Sequence, residues 1–121
     1  VSLVARHLEA NGIATVIIGS AVDIVTTCGV PRFLFVDFPL GNPCGKPYDR
    51  DMQQRIVQQG LNLLETATEP NQVVTSDESW GSEAWRDNYM RVDDSNRAEL
   101  MQMGEELRQR RKTRVPRTHE S

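Results

Sequence analysis

The sequence predicts an open parallel α/β sheet with flanking helices, flavodoxin-like or Rossmann-like, with an incomplete sheet and a helical C-terminal extension. Two short apolar runs, residues 13–18 and 33–38, alternate with stretches of helical periodicity. Turn residues bound them: Gly12 and Gly19 flank the first, and Pro31 and Pro39 flank the second. The Val, Ile, Leu and Phe content is concentrated in the first half of the chain. Strands alternating with helices imply parallel pairing through right-handed crossovers.

Val1, Val4, Ala5 and Leu8 recur at helical spacing, and Asn11-Gly12 is a strong stop, so a helix opens the chain. Residues 13–18 follow as a buried strand. Ser20-Ala-Val-Asp23 has the form of a short capping box, a hydroxyl with an acid three residues on. The helix it starts is brief, because Cys28-Gly29 and Pro31 end it. Residues 33–38, rich in aromatic and β-branched side chains, are the second strand. From Asp49 a longer helix carries Met52, Ile56, Val57, Leu61 and Leu64 on one face. Gly60 weakens it modestly, and Glu69-Pro70-Asn71 closes it. Val73-Val74-Thr75 is a short candidate edge strand.

Residues 1–75 therefore read as an α/β core segment, and residues 76–121 as a polar extension. Residues 76–90 carry Trp80, Trp85 and Tyr89 in polar surroundings, the pattern of a segment wrapping over a neighbour. Asp94-Ser95 is expected to cap a helix bearing Ala98, Leu100, Met101, Met103 and Leu107. That helix ends in Arg108, Arg110, Arg111, Lys112 and Arg114, cations that suit the negative end of its dipole. Residues 114–121 read as a disordered basic tail. Two parallel strands make too small a sheet and need cover on both faces. Further strands are expected from an upstream segment, a partner chain or both, with Val1 a truncation or processed start rather than the natural beginning.

The chain has 121 residues, 38% hydrophobic, and a formal net charge of −3. Mild acidity gives no general affinity for nucleic acid or an anionic membrane. No apolar stretch approaches the ~20 residues of a membrane span. Cys28 and Cys44 make no disulfide framework and fit a reducing cytoplasm. With His7 and His119 they show no ligand spacing, so no metal is expected. Gly12 and Gly19 do not form a dinucleotide fingerprint, which needs three glycines.

The most informative stretch is Phe33-Leu-Phe-Val-Asp-Phe-Pro-Leu-Gly-Asn-Pro-Cys-Gly-Lys-Pro47. An apolar run ends on one acid, Asp37, and breaks into a loop stiffened by Pro39, Pro43 and Pro47, with turns at Gly41 and Gly45. Ligands of open α/β sheets bind outside the carboxyl ends of the strands. Both strands leave the sheet there, at Gly19-Ser20 and at Asp37-Phe38. A helix starting at Ser20 would also turn free N–H groups toward a carboxylate. Gly19, Ser20, Gly41 and Asn42 are thus candidate substrate-binding residues, and Asp37 and the accessible loop thiol Cys44 candidate catalytic ones. Beside this stands the plain alternative, with Ser20 only a cap and Asp37 only a solvated strand end. Cys28, at a helix C-terminus that disfavours a thiolate, reads as structural.

These residues resemble the component B family of the glycine, sarcosine, betaine and D-proline reductases, many of them selenoproteins. The match covers residues 1–68. It comprises His7-Leu-Glu-Ala-Asn-Gly-Ile13, the strand Thr15-Val-Ile-Ile18, the turn Gly29-Val-Pro-Arg32, and Phe38-Pro-Leu-Gly-Asn-Pro43 with the helix after it; Ala84-Trp85-Arg-Asp-Asn-Tyr89 follows downstream. The resemblance implies reductive cleavage of a C–N bond in a small amino acid or amine. A selenocysteine or cysteine attacks the carbon bearing the amino group, displaces the amine and keeps the carboxymethyl group. A thiol-disulfide protein partner then completes the reduction. The resemblance also implies that the redox motif lies just upstream of the first helix. No cofactor is then expected in this chain, and neither Cys28 nor Cys44 falls at a family redox position. The expected partners are the small-molecule substrate, the thiol-disulfide protein and further subunits of a homo- or hetero-oligomer, with no membrane or nucleic acid. The alternative is a non-catalytic α/β module for binding or assembly.

Overall fold

The computed structural model describes residues 1–89 and 91–113, in two compact units, Val1–Asp87 and Asn88–Ser121. The first unit opens with α1 (Ser2–Ala10), which stops where the sequence says it should. Gly12 takes φ +81°, its N–H donates to the Glu9 carbonyl at 3.0 Å, and the Ile13 N–H donates to the Leu8 carbonyl at 3.0 Å.

Strand β1 (Ile17–Gly19) is shorter than the apolar run that announces it. Ile13 remains exposed, and residues 13–16 form the return from α1, where the Thr15 N–H donates to Glu9 Oε2 at 2.8 Å. β2 (Arg32–Phe35) likewise stops early, although the Val36 N–H still donates to the Gly19 carbonyl at 2.9 Å. β3 (Gln72–Thr75) completes a three-stranded sheet in the order β1-β2-β3, with both pairings parallel. The edge strand suggested by Val73-Val74 is therefore real.

Alternation along β2 divides the core into two clusters. Phe33 is buried with Ala5 of α1, Ile17 and Val30, and Val25 of α2 (Val22–Cys28) packs against them. Leu34, Val36 and Phe38 point the other way, onto Met52, Ile56 and Leu63 of α3 (Arg50–Thr66). Helices thus cover both faces. α2, seven residues with none buried, packs mainly against α1.

One expectation about α3 changes. Its start holds: Asp49 Oδ1 accepts from the Met52 N–H at 3.0 Å. Its buried face is Met52, Ile56, Gly60 and Leu63, whereas Val57 and Leu61 are exposed. Gly60 lies close against the sheet. A Cβ there would lie 2.9 Å from Ile18 Cδ1.

Residues 76–87 belong to the same unit. Trp80 packs on Phe38, with ring centroids 5.3 Å apart, and Arg55 makes two hydrogen bonds to Glu78, at 2.5 and 3.0 Å. The short helix α4 (Ala84–Asn88) follows. The outer edges of β1 and β3 carry no further strand among the described residues, and Val73 and Val74 are exposed.

The second unit holds α5 (Arg97–Thr113). Asp93 and Asn96 build its entry, rather than Asp94-Ser95. The Asp93 N–H donates to Asn96 Oδ1, and the Ser95 N–H to Asp93 Oδ1, both at 2.9 Å. Residues 114–121, read from sequence as a disordered tail, lie outside the described residues.

Candidate functional site

Parallel register places the chosen strand ends together. Gly19 pairs with Phe35 and Phe35 with Thr75, so Ser20, residues 36–37 and Ser76 all emerge at the carboxyl end of the sheet. The Ser76 N–H donates to the Phe35 carbonyl at 2.8 Å, which ties the third exit to the second.

Ser20 is not the helix cap. α2 begins at Val22 after Ala21, and no side chain caps it, so the capping-box expectation is corrected. The residues needed for a box are present, but the chain turns into α2 one residue too late for Ser20 to reach back. Its hydroxyl is instead buried without a hydrogen-bond partner. Buried polar groups are nearly always paired, so an orphan is a place to look for a ligand. The helix is only seven residues long, and its N-terminus is a poor anion site by itself.

The loop after Asp37 is held down on α3. The Asn42 N–H donates to the Pro39 carbonyl at 3.1 Å, and the Gly45 N–H to the Asn42 carbonyl at 3.2 Å. Gly45 takes φ +107°, and a Cβ there would lie 3.1 Å from Met52 Cγ. A larger residue would press on the Met52 side chain from a backbone conformation that other residues rarely adopt. Gly41 and Asn42 therefore sit on a fixed turn, and Cys44 is exposed on the same loop. No hydrogen bond or ion pair engages the Cys44 thiol among the described residues.

Asp37 is half exposed, and its carboxylate is taken by Arg86. Arg86 Nη2 donates to Asp37 Oδ2, its Nε donates to Glu83, and its guanidinium lies over the Trp85 ring, 4.5 Å from the centroid. Sequence reasoning missed Arg86. The one signal was its position as the sole cation of residues 76–90, among four acids.

A well-defined groove among the described residues is elsewhere. About 700 Å³ opens at the amino end of the sheet, lined by Arg6, Glu9, Cys28, Arg32, Glu69 and Asn71 among others. Arg32 Nη1 donates to Glu9 Oε1 at 2.8 Å, and Arg6 Nη1 to the Cys28 carbonyl at 3.2 Å. The Arg32 hydrogen bond holds the Glu9 carboxyl below its ordinary value of 4.5. None of Gly19, Ser20, Asp37, Gly41, Asn42 and Cys44 lines this groove.

Among the described residues, no three of His, Cys, Asp and Glu converge as a metal site would require. None of the described helices is long and apolar enough to cross a membrane. Comparison with protein-family models, with curated proteins and with solved structures finds no match to this chain.

Proposed function

We propose that this chain is a subunit, or the carboxyl-terminal part, of a thiol- or selenol-dependent reductase of the glycine, sarcosine, betaine and D-proline reductase kind. Its reaction would be reductive cleavage of a C–N bond in a small amino acid or amine. The observation that carries the reading is the parallel register that brings Ser20 and Asp37 to one end of the sheet. The resemblance of residues 1–68 to component B supplies the reaction class.

In this reading the nucleophile is a selenolate or thiolate from outside the chain, contributed by residues preceding Val1 or by a partner subunit. It attacks the carbon bearing the ammonium nitrogen, and the C–N pair leaves with the nitrogen as neutral ammonia or amine. A dithiol of the partner protein then cleaves the resulting carboxymethyl chalcogenide: the methylene carbon takes a proton and departs as the simple carboxylic acid, the selenolate or thiolate is regenerated, and the dithiol is oxidised to the disulfide. Asp37 orients the amine, because a carboxylate favours the ammonium form beside it. To do so it exchanges Arg86 for the substrate. The Ser20 hydroxyl and the Gly41-Asn42 turn form the adjoining wall, with Gly19 giving room at the strand end. Cys44 is an accessible thiol at the rim, not the nucleophile. A reducing cytoplasm suits this chemistry.

The test uses the complete reading frame with its dithiol donor and measures ammonia, methylamine or trimethylamine released from glycine, sarcosine or betaine. Asp37→Asn is expected to abolish turnover and leave the thermal midpoint unchanged. Full turnover in that variant would contradict the reading. The second reading is a non-catalytic α/β module. It is favoured by the Arg86 pair, which leaves Asp37 already satisfied, and predicts no turnover in the complete frame.

A further inference from the structure

Arg86 serves two acids at once. Its Nη2 donates to Asp37 and its Nε to Glu83, and among the described residues no other cation pairs with either carboxylate. Two carboxylates against one guanidinium leave a net negative charge at the carboxyl end of the sheet. The cluster is short of one cation.

The two bonds differ in origin. Glu83 and Arg86 share one turn, closed by the Arg86 N–H donating to the Glu83 carbonyl at 2.9 Å. The Trp85 ring backs the guanidinium from the same stretch of chain. Asp37, by contrast, lies 49 positions away in the sequence. A guanidinium that leaves Asp37 is not stranded, because Glu83 and the Trp85 ring stay with it. Both partners of the Asp37 link are close to half exposed, so water makes up much of what is lost.

We propose that Arg86 is a displaceable plug on Asp37, and that Glu83 keeps it when an ammonium ligand takes its place. Each acid then has its own cation. Arg86 competes with the ligand, and Glu83 is a positioning residue that weakens the competitor. The proposal rests on the reading of Asp37 as the acid that holds the amine, and adds the control of access to it.

The probe is methylammonium chloride, exchanged for sodium chloride at constant ionic strength and followed by amide shifts of the labelled full chain. Arg86→Gln is expected to tighten binding at Asp37 by up to about fivefold, the worth of a half-exposed ion pair. Glu83→Gln is expected to weaken it, because Arg86 then has Asp37 as its one acid. In the Arg86→Gln background the Glu83→Gln change should lose its effect, since no plug is left to hold. Equal affinity in the parent and Arg86→Gln overturns the plug and leaves the reading of Asp37 intact. So does a Glu83→Gln effect of the same size with and without Arg86. If no shift centres on Asp37 in the parent or in Arg86→Gln, Asp37 is not an amine site and the plug falls with it.

Discussion

The two ends of the sheet share three strands and differ in what they ask of their side chains. At the amino end, α1, α2 and α3 all present their C-termini, a concentration of unpaired carbonyls and partial negative charge. Arg6 answers one of these by donating to Cys28, and Arg32 holds Glu9 and the Thr15 carbonyl, the latter at 3.3 Å. Most of the charge in the groove at that end is thus spent on holding helix ends and loops, although the buried Arg32 Nε has no hydrogen-bond partner. At the carboxyl end the buried Ser20 hydroxyl likewise has none. Each end therefore holds one unused polar atom, and what the carboxyl end adds is the half-exposed Asp37 and the fixed turn that follows it.

The largest effect that separates the ends is in packing. Phe38 is fully buried between Trp80 and the face of α3. Phe38→Ala should cost about 3–5 kcal/mol in urea unfolding and shift Trp fluorescence as Trp80 loses its partner. An equal loss from Arg32→Ala would mean that the amino end, not this cluster, anchors the unit. Next is Gly60→Leu, which drives a side chain into Ile18 and should cost about 1–3 kcal/mol. Gly104→Ala, facing open space in α5, should instead stabilise its helix by up to about 1 kcal/mol, read from helicity by circular dichroism.

A smaller effect depends on pH. Because Arg32 lowers the Glu9 carboxyl below 4.5, the pair adds stability above that pH, and the gain fades as acid protonates Glu9 through its depressed folded value. Arg32→Gln should flatten the fall in urea midpoint between about pH 5 and 3 relative to the parent. An unchanged slope would show that the pair contributes nothing. Smallest of all is Arg86→Gln. Its ion pair with Asp37 is close to half exposed on both sides, so the midpoint should barely move. If it moves as far as in Phe38→Ala, residues 76–87 are held by charge rather than by Trp80.

What could be read in advance was local. Asn11-Gly12 ends α1 and Asp49 caps α3, because each works through backbone groups within a few residues. The alternation of strands with helices needed only short-range periodicity, and the parallel direction followed from it. The buried stripe of α3 was misplaced because a glycine carries no apolar mark, while Val57 and Leu61 on the neighbouring stripe do. Ser20 failed as a cap because capping depends on where the chain turns, which the residue types alone do not fix. Arg86 reaches Asp37 across 49 positions, and no local rule connects them. Of the candidate site, the strand exits and the stiff loop were legible. The partner that now occupies Asp37 was not.

A titration of isotopically labelled chain with glycine and with betaine, followed by amide chemical shifts, addresses the contrast between the two ends most directly. Shifts concentrated at Gly19, Ser20, Asp37, Gly41 and Asn42, and lost in Asp37→Asn, are the result predicted. Shifts concentrated at Glu9, Arg32 and Asn71 instead would place the binding end on the wrong side of the sheet and contradict the account.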